Sequence, residues 1–231
     1  MIDAEATEIK LAPMAPTQLA DLRESTRATL LIRSAKLICQ SGEYVCLVRD
    51  VSAVGVRLRL FHPLPPETWF FLALANGENY PMESRWSQPD PAGGAQAGFR
   101  FVQPIDVASF IEEAGEFPRR PIRLSVECHG QVFSDGRGTP MVLRNLSQAG
   151  ARIETTTWLA LHQTVRLVVA GLPERFARIR WRNRYDHGLA FDQAFRLEEL
   201  AAHARVLQPF AIQPTLVATE LATQPMAQAS G

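Results

Sequence analysis

"DVSAVGVRLRLF", residues 50–61, carries the information that decides the fold. Asp50, Ser52 and Gly55 are turn formers packed into six positions. Asp and Ser side chains bond to nearby backbone, and glycine tolerates a positive φ. Beyond them Val56, Leu58 and Leu60 alternate with Arg57 and Arg59. A period of two marks a strand with one buried face. The stretch therefore predicts a tight turn, with Gly55 at positive φ, feeding a half-buried strand.

Working outward, the same grammar recurs. "PIRLSVEC" alternates Ile122, Leu124, Val126 and Cys128 against Arg123, Ser125 and Glu127. "ETWFFLALANG", "TVRLVVAGLP" and "ARIRWRNR" read as further strands bounded by Gly, Pro or Asn. Two segments read as helices, 104–115 and 195–207. In the second, Leu197, Leu200, Ala201 and Val206 suggest an apolar face.

The order of strands, helix, strands, helix points to a duplication. "RDVSAVGVRL" from Arg49 matches "RNLSQAGARI" from Arg144, and Arg85-Trp86 matches Arg180-Trp181, both at an offset of 95 residues. "GFRFVQ" from Gly98 matches "GLAFDQ" from Gly188 at an offset of 90, the difference falling in the loop "SQPDPAGGAQA". The expected organisation is an N-terminal arm at 1–17, one domain at 18–115, a second at 116–208 and a low-complexity tail at 209–231.

The 24 basic and 24 acidic side chains balance, which argues against general DNA binding, since that depends on neutralising many phosphates. A local basic cluster could still hold a small anion. Cys39, Cys46 and Cys128 lack CxxC spacing and read as reduced, mostly buried thiols. The five histidines lack metal-ligand spacing, and no GxSxG, Walker A or GxGxxG motif occurs. No apolar run reaches membrane-spanning length and no signal peptide opens the chain. The expectation is a cytoplasmic protein that is not an enzyme, needs no cofactor and does not insert into membranes. Trp86 and Trp181 are expected to pack within the structure, and the arginines of "ERFARIRWRNR" to form a solvated face.

Arg23 and Arg27, four apart in "RESTR", precede the first strand. An RxxxR ahead of one strand and a [D/N]xSxxG after the next resemble the PilZ family. The resemblance implies two six-stranded antiparallel β-barrels, each followed by a C-terminal α-helix, and a receptor for the bacterial second messenger cyclic di-GMP. It assigns ligand contacts to Arg23 and Arg27 and guanine recognition to Asp50 and Ser52, with Gly55 keeping the turn open. The implied output is of the motility, polysaccharide or biofilm class, acting through an unidentified protein partner. The family also includes interaction adaptors that have lost the motif, which is the alternative reading, especially for the second domain.

In the second half Asn145, Ser147 and Gly150 repeat the turn motif. Two registers are open for the arginines. Arg119 and Arg123 can form a complete RxxxR. Counting back from Gly130 as the hairpin glycine instead pairs Arg119 with Arg27, leaving Gly115 opposite Arg23, a degenerate site touched by Arg119 or Arg120.

Overall fold

The computed structural model describes residues 28–112 and 121–211. In the first half, β1 (Ala28–Cys39), β2 (Gly42–Ser52), β3 (Gly55–Leu60), β4 (Trp69–Ala73), β5 (Asn79–Pro89) and β6 (Ala95–Phe101) close into a barrel ordered β1-β2-β3-β6-β5-β4. In the second, β7 (Arg123–Ser134), β8 (Arg137–Ser147), β9 (Gly150–Glu154), β10 (Thr164–Val169), β11 (Arg175–Asn183) and β12 (Asp186–Phe191) close in the same order. All strand pairs are antiparallel. Closure gives every strand a neighbour on both sides along at least part of its length. The duplication read from the sequence is thus a duplication of topology.

The inward face of each alternating strand fills a separate core. Val56, Leu58 and Leu60 meet Phe70, Leu72, Met82 and Phe99 in the first barrel. Leu124, Leu143, Ile153, Leu167 and Ile179 meet in the second.

Each barrel is followed by a helix. α1 (Val107–Glu112) starts three residues later than expected from the sequence. Asp106 stops it at the start by accepting from the Ala108 N–H at 3.1 Å and the Ser109 hydroxyl at 2.6 Å. A side chain that caps in this way sits outside the helix it begins. Positions 113–115 lie outside the described residues. α2 (Leu197–Leu207) buries Leu200, Ala201 and Ala204. Val206, expected on that face, is 58% exposed. Positions 200, 204 and 201 share one stripe of a 3.6-residue helix, and 206 does not.

One turn reading is corrected. The β7–β8 hairpin turns at Asp135 and Gly136, with φ of 50° and 76°, which is the geometry a two-residue hairpin needs. Gly130 lies mid-strand, opposite Met141 and Val169. The thiols also differ from expectation, since only Cys46 is fully buried. Cys39 is half-buried, and that burial pushes its thiol up to about 11.

β2 breaks the alternation. Tyr44, Val45, Cys46, Leu47 and Val48 are all buried, whereas the equivalent stretch of β8 alternates. A continuous buried run means that both faces are covered. Cys46 and Val48 face the first core, while Val45 joins the second. The cover is α2 and the residues after it. The Gln208 side chain accepts from the Glu43 N–H at 2.9 Å and donates to the Glu43 carbonyl at 2.8 Å. The Tyr44 hydroxyl donates to the Gln208 carbonyl at 2.8 Å. Tyr44, His62 and Phe210 pack edge to face at 4.7–5.5 Å.

His62 is buried in this seam. Its Nδ1 lies 2.7 Å from the Pro63 carbonyl, so Nδ1 carries the proton, and Nε2 is buried without a partner. Desolvation is the main cause holding its pKa below the ordinary histidine range; the Pro63 contact opposes this and Arg205 adds to it. The unfolded chain therefore binds a proton here more readily than the folded one. The corresponding stability is present above about pH 6.5 and is lost as pH falls below it. Thermal melts should show the midpoint dropping by a few degrees between pH 7 and pH 5, and His62→Phe should flatten that part of the profile.

Candidate functional site

A bulge in a strand inserts one residue and re-aims the side chains beside it. β2 is bulged between Val48 and Asp50, and β5 between Ser84 and Trp86. β8 and β11 are bulged at the equivalent places, between Leu143 and Asn145 and between Ile179 and Trp181. On each barrel these bulges turn polar and aromatic side chains toward one outer hollow.

The first hollow, about 300 Å³, is lined by Asp50, Ser52, Gly55, Arg57, Arg85, Trp86 and Arg100, among others. The second, about 210 Å³, is lined by Arg123, Asn145, Ser147, Gly150, Arg152, Arg180 and Trp181, among others. The structure thus gathers Asp50, Ser52 and Gly55 in one place, and Arg123, Asn145, Ser147 and Gly150 in another. Arg23, Arg27, Arg119 and Arg120 lie outside the described residues.

The turn motif does different work from that expected. Gly55 and Gly150 are not among the glycines at positive φ. A Cβ on Gly55 would come within 2.6 Å of the Phe99 carbonyl oxygen, and one on Gly150 would collide with the Leu189 carbonyl. Each glycine is there so that two strands can approach, not to bend the turn. The serines lock the hairpins: Ser52 Oγ donates to the Gly55 carbonyl at 3.3 Å and Ser147 Oγ to the Gly150 carbonyl at 3.0 Å. Asp50 is ion-paired to Arg57 at 2.6 Å. In the second hollow Asn145 replaces the acid, and Arg152 pairs instead with Asp186, at 2.9 and 3.2 Å.

The tryptophans pack against their barrels, but on the outer face. Trp86 is 44% exposed and Trp181 42%. Each indole lies on the backbone of a glycine across the sheet, and a Cβ on Gly98 or Gly188 would strike its ring nitrogen. They are outer walls of the hollows rather than core. Arg57, Arg85, Arg100, Arg152 and Arg180 also line them, and the sequence reading assigned none of these to a site. The signal was present, because the arginine two residues after the motif glycine and the Arg-Trp pair occur in both repeats.

Strand pairing of the described residues bears on the register of the second half. Ala28, the residue after Arg27, pairs with Val51. Leu124, the residue after Arg123, pairs with Leu146, the counterpart of Val51. Arg123 therefore holds the chain position of Arg27, and the count from Gly130 failed because that glycine is not the hairpin. The bulge in β1, between Thr29 and Arg33, is also one residue longer than that in β7, between Ser125 and Cys128.

Residues 21–114 match the PilZ domain family. This part of the chain is a PilZ domain. No curated protein matches the sequence. Among solved structures, the chain is similar to the Borreliella burgdorferi PlzA protein in complex with c-di-GMP, at 8% identity and a TM-score of 0.32, covering 81% of this chain and 97% of that one. It is similar to the Bacillus subtilis inhibitor of motility at 11% identity and a TM-score of 0.33, covering 76% and 96%. It is also similar to YcgR of Escherichia coli in complex with c-di-GMP, at 13% identity and a TM-score of 0.26, covering 83% and 85%. The barrel downstream of the PilZ domain repeats its strand order. Among the described residues no group of side chains could hold a metal ion, and no helix is long and apolar enough to cross a membrane.

Two glycine substitutions should separate the fold from the hollow. Gly55→Ala meets backbone and should destabilise the PilZ domain by about 1–3 kcal/mol, read as a lower melting temperature. Gly98→Ala meets only the Trp86 ring and should leave the melt nearly unchanged while shifting tryptophan emission.

Proposed function

We propose that the chain is a non-enzymatic receptor for cyclic di-GMP, with the first hollow as its principal site. The observation that supports this best is the composition of that hollow. A carboxylate, three arginines and an exposed indole converge on one shallow surface. Guanine offers O6 and N7 acceptors and an amino donor; arginine forks match the former, and a carboxylate can accept from the latter. Trp86 presents a flat face for purine stacking. The remaining charge to be met is phosphate, and this reading assigns it to Arg23 and Arg27. They immediately precede β1, whose second residue, Thr29, pairs with Asp50. Binding would order this arm over the hollow and change the surface shown to a partner, a ligand-biased order–disorder switch.

The second hollow supports a second molecule of the same ligand. Arg123 stands for Arg27, and Ser147, Arg152, Arg180 and Trp181 repeat the wall. Asn145 presents one acceptor where Asp50 presents two charged oxygens, so the second site is the weaker one.

Calorimetric titration of the full chain with cyclic di-GMP should give two sites per chain. Asp50→Ala, or Arg23→Ala with Arg27→Ala, should weaken the tighter site by at least about tenfold, the scale of a lost charge-assisted hydrogen bond. Unchanged affinity in both variants would sink the assignment.

A further inference from the structure

The start of β7 is an unusual piece of sheet. On one side it is laddered to β8, Arg123 opposite Ser147 and Ser125 opposite Asn145. On the other side β10 pairs with β7 only from Gly130 to Phe133. Residues 123–126 thus carry the arginine of the second hollow on a strand end that its own barrel supports along one edge only.

The first barrel supplies the other edge. Glu43 Oε2 accepts the Ser125 N–H at 2.6 Å. The same oxygen is ion-paired with Lys36 Nζ at 2.9 Å. Lys36 Nζ also donates to the Arg123 carbonyl at 3.3 Å. One acceptor and one donor from β1 and β2 therefore grip the peptide groups on either side of Leu124, as a neighbouring strand would. The Glu43 backbone is itself fixed by Gln208, so the grip has a defined position. Arg123 lines both the second hollow and a cleft of about 260 Å³ between the barrels, opposite Ala73, Leu74 and Ala75.

We propose that Glu43 and Lys36 of the first barrel are positioning residues for Arg123, so that affinity at the second hollow depends on the seam between the barrels. This rests on the reading of the second hollow as a dinucleotide site. Side-chain order on a strand end follows backbone order, and a site loosened by about an ångström loses much of its affinity. Coupling of this kind is reciprocal: a ligand held by Arg123 strengthens the Glu43–Ser125 contact by the same factor that the contact strengthens the ligand. The second hollow then reports to the seam, and the first does not.

The test uses the full chain and cyclic di-GMP. Glu43→Ala should weaken the second site about tenfold and leave the first within about twofold, since one charge-assisted hydrogen bond is removed at a distance from Asp50. Glu43→Gln, which keeps a carbonyl acceptor, should restore most of the loss. Independently of binding to the first hollow, amide exchange at Ser125 should quicken in Glu43→Ala and slow when the wild type takes up its second ligand. If two sites are found and both keep their affinities in Glu43→Ala, the positioning role is wrong while the receptor reading stands. If only one site is found and Arg123→Ala leaves it untouched, the second hollow is not a ligand site and the proposal falls with it.

Discussion

The contact between Gly55 and the Phe99 carbonyl is the constraint on which the first hollow depends. β3 can lie against β6 only because no Cβ intervenes. That approach closes the barrel, and it sets Arg57 opposite Gly98 across the pair. Gly98 is in turn the floor on which Trp86 rests. A single close approach thus places the carboxylate's partner, the arginine-bearing bulge and the indole around one surface. The second barrel solves the same problem with Gly150 against the Leu189 carbonyl and Trp181 on Gly188.

Most of the fold was legible because it follows from period-two burial. Val56, Leu58 and Leu60 had to face one way, and turn residues had to separate such runs. What the alternation could not show was where it would be suspended. The all-buried run Tyr44–Val48 is a mark of two covered faces, but the cover comes from Gln208 and Phe210, more than 160 residues away in sequence. Bulges were invisible for a related reason. One extra residue in a ladder leaves no compositional trace, yet it decides whether Trp86 points into a core or out over a hollow. An exposed tryptophan reads from sequence as a buried one by default.

The motif residues were found, but their mechanics were misread from local chemistry. Asp, Ser and Gly in six positions look like a turn recipe, but two of the three have partners outside the turn. Gly55 answers to β6 and Asp50 to Arg57, while Ser52 alone acts within the turn. Repeats gave the better guide. Arg57 with Arg152 and Arg85 with Arg180, which recur at 95 residues' spacing, sit in the hollow walls, whereas Arg49 and Arg144, which recur likewise, do not.

The two hollows are built alike and charged differently, and that difference has a physical direction. In the first, Arg57 is held back by Asp50, so the guanidinium and the carboxylate neutralise one another until a ligand separates them. On the receptor reading proposed above, a ligand must offer both an acceptor for the arginine and a donor for the acid, which is a demand for a particular base edge. In the second, Asn145 imposes no such demand, and Arg152 is turned toward Asp186 on a neighbouring strand. Arg180 and Arg123 are then left to attract charge rather than to read a base. On the proposed reading, selectivity therefore belongs to the first barrel. The second is bound to its neighbour through Glu43 and Lys36, so what it would add under the proposal is a response to how the two barrels are held.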